Sequence, residues 1–156
     1  MGDMRRKDRR LTEEETLDVV RRGEYGILSL MGKEGPYGVP LSYVLDEEGK
    51  AIYFHGTAAG GEKMNRILEN PSVCFTIVTD TEVLPAEFST RYRSAILYGR
   101  ATVTEDEKEK KKALLLLVRK YSPDYEEEGI KYIDRAIRAV AIIRMDIQSM
   151  TGKGKK

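Results

Sequence analysis

Apolar positions along this chain switch between helical and strand spacing. Thr12-Glu13-Glu14-Glu15 reads as a capping box, so a helix should run to about Arg22 and stop at Gly23. Its apolar residues, Leu17, Val19 and Val20, are few, which predicts packing on a surface rather than at the centre. Tyr25 to Met31 reads as a strand, and Gly32 to Pro36 as a turn. Tyr37 to Leu45 predicts a second strand. Pro40 within it cannot donate to a ladder and so marks an edge or a bulge. Asp46 to Lys50 predicts a hairpin loop, and Ala51 to His55 a third strand.

The second half follows the same logic. Glu62 to Glu69 predicts a short helix with Met64, Ile67 and Leu68 on one face, ended by Asn70-Pro71. Val73 to Thr79 is a β-branched and aromatic strand, and Cys74 within it reads as a small core residue. Asp80 to Thr90 lacks periodicity and reads as a loop. Tyr92 to Thr104 is a long strand in which Gly99 suggests a bulge. Thr104-x-x-Glu107 opens the longest predicted helix, Asp106 to Tyr121. Lys108, Lys110, Lys111 and Lys112 should form its solvated face, and Leu114, Leu117 and Val118 its core face. Glu126 to Arg138 predicts a last helix and Ala139 to Met150 a last strand. About six strands, joined mainly as hairpins, point to an α+β fold: a mainly β antiparallel barrel with peripheral helices.

At 156 residues, a single domain over 1–156 is expected. A net charge of +1 argues against nucleic-acid binding by bulk charge. One cysteine and one histidine exclude an internal disulfide and leave too few soft ligands for structural zinc, so no metal is expected. No signal peptide or bilayer-spanning apolar run is read, and a cytoplasmic location is expected.

The chemically suggestive stretch is Tyr53-Phe54-His55-Gly56, followed by small residues and then Gly60-Gly61-Glu62-Lys63. A strand end, a loop of small residues, a helix N-terminus and a lysine together suit a phosphate, because first-turn N–H groups and the helix dipole favour an anion. It is neither a Walker loop nor GxGxxG. Taken alone, an ordinary strand–loop–helix connection with a solvated Lys63 is the better reading.

Four stretches tip that balance: Met4 to Arg9; Gly38-Val39-Pro40-Leu41-Ser42-Tyr43; Tyr53 through Lys63 with Asn70-Pro71-x-Val73-Cys74-Phe75; and Arg91 to Ala101. In this order, and with the ending Met150-Thr151-Gly152-Lys153, the chain resembles the pyridoxamine-5′-phosphate-oxidase-like split-barrel flavoproteins, most of all their nitroimidazole-resistance branch. The resemblance implies a six-stranded split barrel that forms a homodimer with FMN in a groove at the interface. It places Val39, Pro40, Leu41 and Ser42 along the flavin, Phe54, His55 and Gly56 beside the ribityl chain, and Lys63 at the phosphate. Arg91, Arg93 and Ser94 would approach from the other subunit. Alternation puts Arg91 and Arg93 opposite Tyr92 and Ser94, so one face at most can serve the cofactor.

His55 has three readings: a general acid, a donor that positions cofactor or substrate, or a strand-end histidine satisfied by backbone. Two departures stand out. The chain has no room after Met150 for the oxidase's substrate-binding segment, and Glu62 precedes Lys63 where a second cation would help, leaving Asn65 or Arg66 to compensate. The implied activity is an NAD(P)H-linked reduction of small oxidants such as nitroaromatics. The alternatives are a flavin- or haem-binding protein without turnover, and a deazaflavin-dependent reductase.

Overall fold

The computed structural model describes residues 2–155. The capping box forms as read. In α1 (Glu13–Arg22), the Thr12 hydroxyl accepts the Glu15 N–H at 3.1 Å, and the Glu15 carboxylate accepts the Thr12 N–H at 2.8 Å. The strands are β1 (Gly26–Leu30), β2 (Tyr37–Leu41), β3 (Val44–Asp46), β4 (Ala51–Thr57), β5 (Ser72–Leu84), β6 (Ser89–Thr104) and β7 (Val140–Lys155). α2 (Glu62–Glu69) follows β4, and α3 (Glu107–Tyr121) and α4 (Glu126–Ala136) separate β6 from β7. All pairings are antiparallel, in one sheet of order β2-β1-β5-β6-β7-β4-β3.

That order carries a strong geometric constraint. The two edge strands, β2 and β3, are consecutive in the chain and joined only by Ser42 and Tyr43. Three Cα steps reach about 11 Å at most. The sheet must therefore curl until its edges meet, which makes it a barrel with an unladdered seam. Pro40 sits on edge strand β2, where its missing N–H costs no ladder bond.

The barrel is filled from its inner face by Leu28, Ile52, Phe54, Phe75, Leu97 and Met145, among others, all fully buried. Phe75 meets Tyr43 and Phe54 edge-on, with centroids 4.9 Å apart in both pairs. A smaller cluster of Val44, Tyr53, Ala113, Leu117 and Ile142 lies outside, under α3. Strand β4 is thus covered on both faces.

Several expectations need correcting. There are seven strands rather than six, because the run Tyr37 to Leu45 breaks at Ser42-Tyr43. There the Tyr43 N–H goes to the Tyr121 hydroxyl at 3.0 Å instead of a neighbouring strand. Asp80 to Thr90 is not a loop. It is mostly a two-stranded arm, paired Glu82↔Arg91, Val83↔Thr90 and Leu84↔Ser89, whose exposure on both faces removes any periodicity. Helix α1 packs on the barrel with its outer side exposed, and its Val19 and Val20 reach into the core. Leu68 is 76% exposed, leaving Met64 and Ile67 as the buried face of α2. Cys74 is half-buried between Val73 and Phe75, which point into the core, so it faces outward.

The N-cap of α3 is Asp106 rather than Thr104, which stays in β6. Lys112 is exposed, as expected of the solvated face, and also pairs with buried Asp46 at 2.8 Å. The last strand runs on to Lys155.

Gly99 does mark a bulge, a register shift against β7. A Cβ there would collide with the Asp146 carbonyl oxygen. Gly99→Ala should therefore lower the unfolding free energy by about 1–3 kcal/mol, the usual range for overpacking. Gly2→Ala, with nothing within 4 Å of the new Cβ, should leave it unchanged. Urea unfolding of both variants checks this.

Candidate functional site

The seam leaves a cavity of about 340 Å³ where the sheet ends meet. Tyr37 and Val39 of β2 form one wall, and Gly56 and Thr57 of β4 the other. Gly60, Gly61 and the first turn of α2 close the end. Gly60 and Gly61 hold φ of +84° and +147°, backbone that a side chain would strain. Gly61 is the N-cap of α2 and offers no side chain to the first-turn N–H groups.

Lys63 enters this cavity. A Cβ on Gly56 would lie 3.3 Å from its ammonium nitrogen, so the absent side chain makes room for the cation. Among the described residues no carboxylate pairs with Lys63, and burial pulls its pKa below the ordinary lysine value. An unpaired, half-buried cation beside uncapped helix N–H groups is an arrangement that suits an anion.

Arg66 does not help there. Its guanidinium donates to the Gly35 carbonyl and the Glu62 carboxylate, both at 2.7 Å, and lies 4.8 Å over the Tyr37 ring. It is a strut that binds α2 to the β1–β2 turn. Asn65 faces solvent.

The other predicted residues separate into groups. Val39, Gly56 and Lys63 meet at the cavity. Pro40, half-buried Leu41 and exposed Ser42 lead from it along β2 to the seam crossing. The Phe54 side chain lies in the barrel core, so only its backbone borders this region. His55 is exposed. Strand alternation puts it on the face shared with Tyr53, and it does not line the cavity. Its pKa is lowered, first by desolvation and then by the charge of Lys63. Arg91 is paired with Glu82 across the arm, and Arg93 is half-buried next to it.

Ser94 donates to the Lys153 carbonyl at 3.3 Å. It lines a second, larger groove of about 1150 Å³ along β6 and β7, bounded by α1. Within one chain the predicted site is therefore two surfaces. Sequence reasoning missed Tyr37 and Thr57. Tyr37 was accessible, being two positions from Val39 on the same strand face.

Residues 12–154 match the pyridoxamine 5′-phosphate oxidase family. The chain belongs to that family. Its fold is similar to a candidate 5-nitroimidazole antibiotic resistance protein from Bacteroides thetaiotaomicron, at 25% identity over 93% of this chain and 86% of that one, with a TM-score of 0.79. It is also similar to the FAD and haem binding protein of Mycobacterium smegmatis, at 19% identity, 93% and 72% coverage and a TM-score of 0.79. A flavocytochrome of Azotobacter vinelandii matches at 20% identity over 99% of this chain and 73% of that one, with a TM-score of 0.76. No curated protein sequence matches the chain. Both the expected family and the expected barrel are borne out. Among the described residues no helix is long and apolar enough to cross a membrane.

Lys63 in the cavity and His55 outside it should make anion binding depend on pH. Lys63 and His55 both have lowered pKa values, so the unliganded protein resists protonating them. A bound anion favours the protonated forms, and binding should therefore take up protons and weaken as pH rises. Sulfate affinity, measured by calorimetry from about pH 5 to about pH 10.5, should be weaker at the alkaline end, where both groups have lost their protons, than at the acidic end. Lys63→Met should flatten the profile.

Proposed function

We propose that this family member is an FMN-binding flavoprotein that uses a reduced nicotinamide, NAD(P)H, to reduce small oxidants such as nitroaromatics. One observation carries the reading: the unpaired Lys63 and the uncapped start of α2 converge on the seam cavity beside Gly56 and Val39. A phosphate monoester carries close to two negative charges at neutral pH and supplies what that cavity lacks. From there Val39, Pro40, Leu41 and Ser42 run along the edge strand, whose outward backbone groups are free to meet the hydrogen-bonding edge of the ring. Bound flavin would supply the electron and hydride transfer; the protein binds and orients it and excludes water. His55, off the cavity and biased toward its neutral form, suits positioning cofactor or substrate better than general acid work.

The flavin reading predicts flavin absorption bands in the purified protein. A Soret band would favour haem instead, and binding of a deazaflavin in place of FMN would redirect the reading to that cofactor. Lys63→Ala should weaken FMN binding by about 1.5–3 kcal/mol, the range for hydrogen bonds to charged groups, and spare riboflavin, which has no phosphate. Equal loss for both ligands would contradict a phosphate role.

The second groove supports a shared site in a homodimer. On the outer face of the sheet, Ile27 pairs with Thr76, Thr76 with Ile96, and Val78 with Ser94. These residues are uncharged in a chain that is 34% charged, and Val78 is 51% exposed. A symmetric partner would cover this face and bring Ser94, with Arg91 and Arg93 near it, toward the neighbouring cavity. Sedimentation at micromolar concentration should give a dimer, and Ile96→Lys a monomer with reduced FMN affinity. A monomer binding FMN as tightly as the dimer would overturn the shared site.

A further inference from the structure

The seam crossing at Ser42-Tyr43 is held from outside the barrel by the end of α3. The Tyr121 hydroxyl accepts the Tyr43 N–H at 3.0 Å. Its single proton is best placed on the Glu24 carbonyl, at 2.6 Å, which also ties down the segment entering β1. The Tyr43 carbonyl, 3.0 Å from the same hydroxyl, takes its bond from the Lys120 ammonium at 2.9 Å. Thus both backbone groups of Tyr43, which no strand serves, are satisfied by adjacent residues of one helix.

Lys120 is unusual for a lysine. Its nitrogen lies 3.6 Å from the centroid of the Tyr43 ring and 5.1 Å from that of Tyr121. Among the described residues no carboxylate pairs with it, and burial draws its pKa down to about 8. A desolvated ammonium without an acid partner is costly, and its compensation here is the carbonyl and the ring of one residue. On the other side, the Tyr43 side chain is fully buried and donates to the Val20 carbonyl at 2.6 Å. The crossing is pinned at its N–H, its carbonyl and its side chain.

We propose that Tyr121 and Lys120 are positioning residues for the cofactor: by clamping Tyr43 they fix Leu41 and Ser42 against the flavin ring. The proposal rests on the flavin reading of the seam. It separates two jobs around one cavity. Lys63 and the start of α2 hold the phosphate end, and the end of α3 sets the strand that meets the ring. A loosened crossing frees Leu41 and Ser42, the residues next to Tyr43, while Lys63 and the start of α2 make no bond to the clamp, so the loss falls on the ring and not on the phosphate.

Tyr121→Phe removes only the hydroxyl, and Lys120→Met only the ammonium. Each variant is compared with the unaltered protein for FMN affinity, riboflavin affinity, hydrogen exchange over residues 41–44 and melting temperature. Binding is measured well below melting. In each variant both flavins should weaken by the same factor, about fivefold, the size of one ordinary hydrogen bond. Exchange at those amides should accelerate. Unchanged affinities with a lower melting temperature would mean a structural role alone and overturn the proposal. Weakening of FMN without riboflavin would also overturn it, by placing the effect at the phosphate. If the unaltered protein binds neither flavin, it is the flavin reading that has failed, and the proposal falls with it.

Discussion

The curl of the sheet is forced by a two-residue join. Strands β2 and β3 are its opposite edges and neighbours in sequence, so Ser42 and Tyr43 can connect them only if the sheet closes on itself. Closure without a ladder leaves a seam, and the seam must be filled. At one place Tyr121 and Lys120 fill it by bonding the Tyr43 backbone. At another, α2 and its glycine loop leave it open as the cavity around Lys63. The same constraint that shapes the barrel thus frames the candidate site: β2 is an edge strand, and residues 54–57 of β4 run beyond the end of β3, so both walls have backbone groups that no neighbouring strand takes.

Charge placement follows the same division. Arg66 lies close to Lys63 in sequence, yet it is consumed by Gly35, Glu62 and Tyr37. Lys112 is consumed by buried Asp46. Lys63 alone of these three is left without a partner, in a cavity whose neighbouring helix N–H groups are also uncapped. In a chain so rich in carboxylates, an unpaired cation in that setting is what the proposed phosphate site requires.

Much of this was legible locally. The α1 capping box, the edge position of Pro40, the Gly99 bulge and the Gly60-Gly61-x-Lys63 helix start all depend on residues within a few positions of each other. The break at Ser42-Tyr43 was not legible, because its partners lie 78 and 77 residues away and the run Tyr37 to Leu45 looks unbroken by itself. The arm was hidden for another reason: with no buried face there is no period to read. The depth to which Val19 and Val20 of α1 reach into the core was not legible, because it depends on strands far along the chain. Lys63 could be found from its own loop, but its opposite wall, Val39, came from family resemblance, and Tyr37 was passed over.

The proposed flavin lies across the seam. Hydrogen exchange with and without FMN tests it most directly, since binding should slow exchange on both walls. Protection is expected at residues 37–43 and at 54–64 together, with little change under α3 and α4. Protection confined to the groove beside α1, with the seam unaffected, would contradict it.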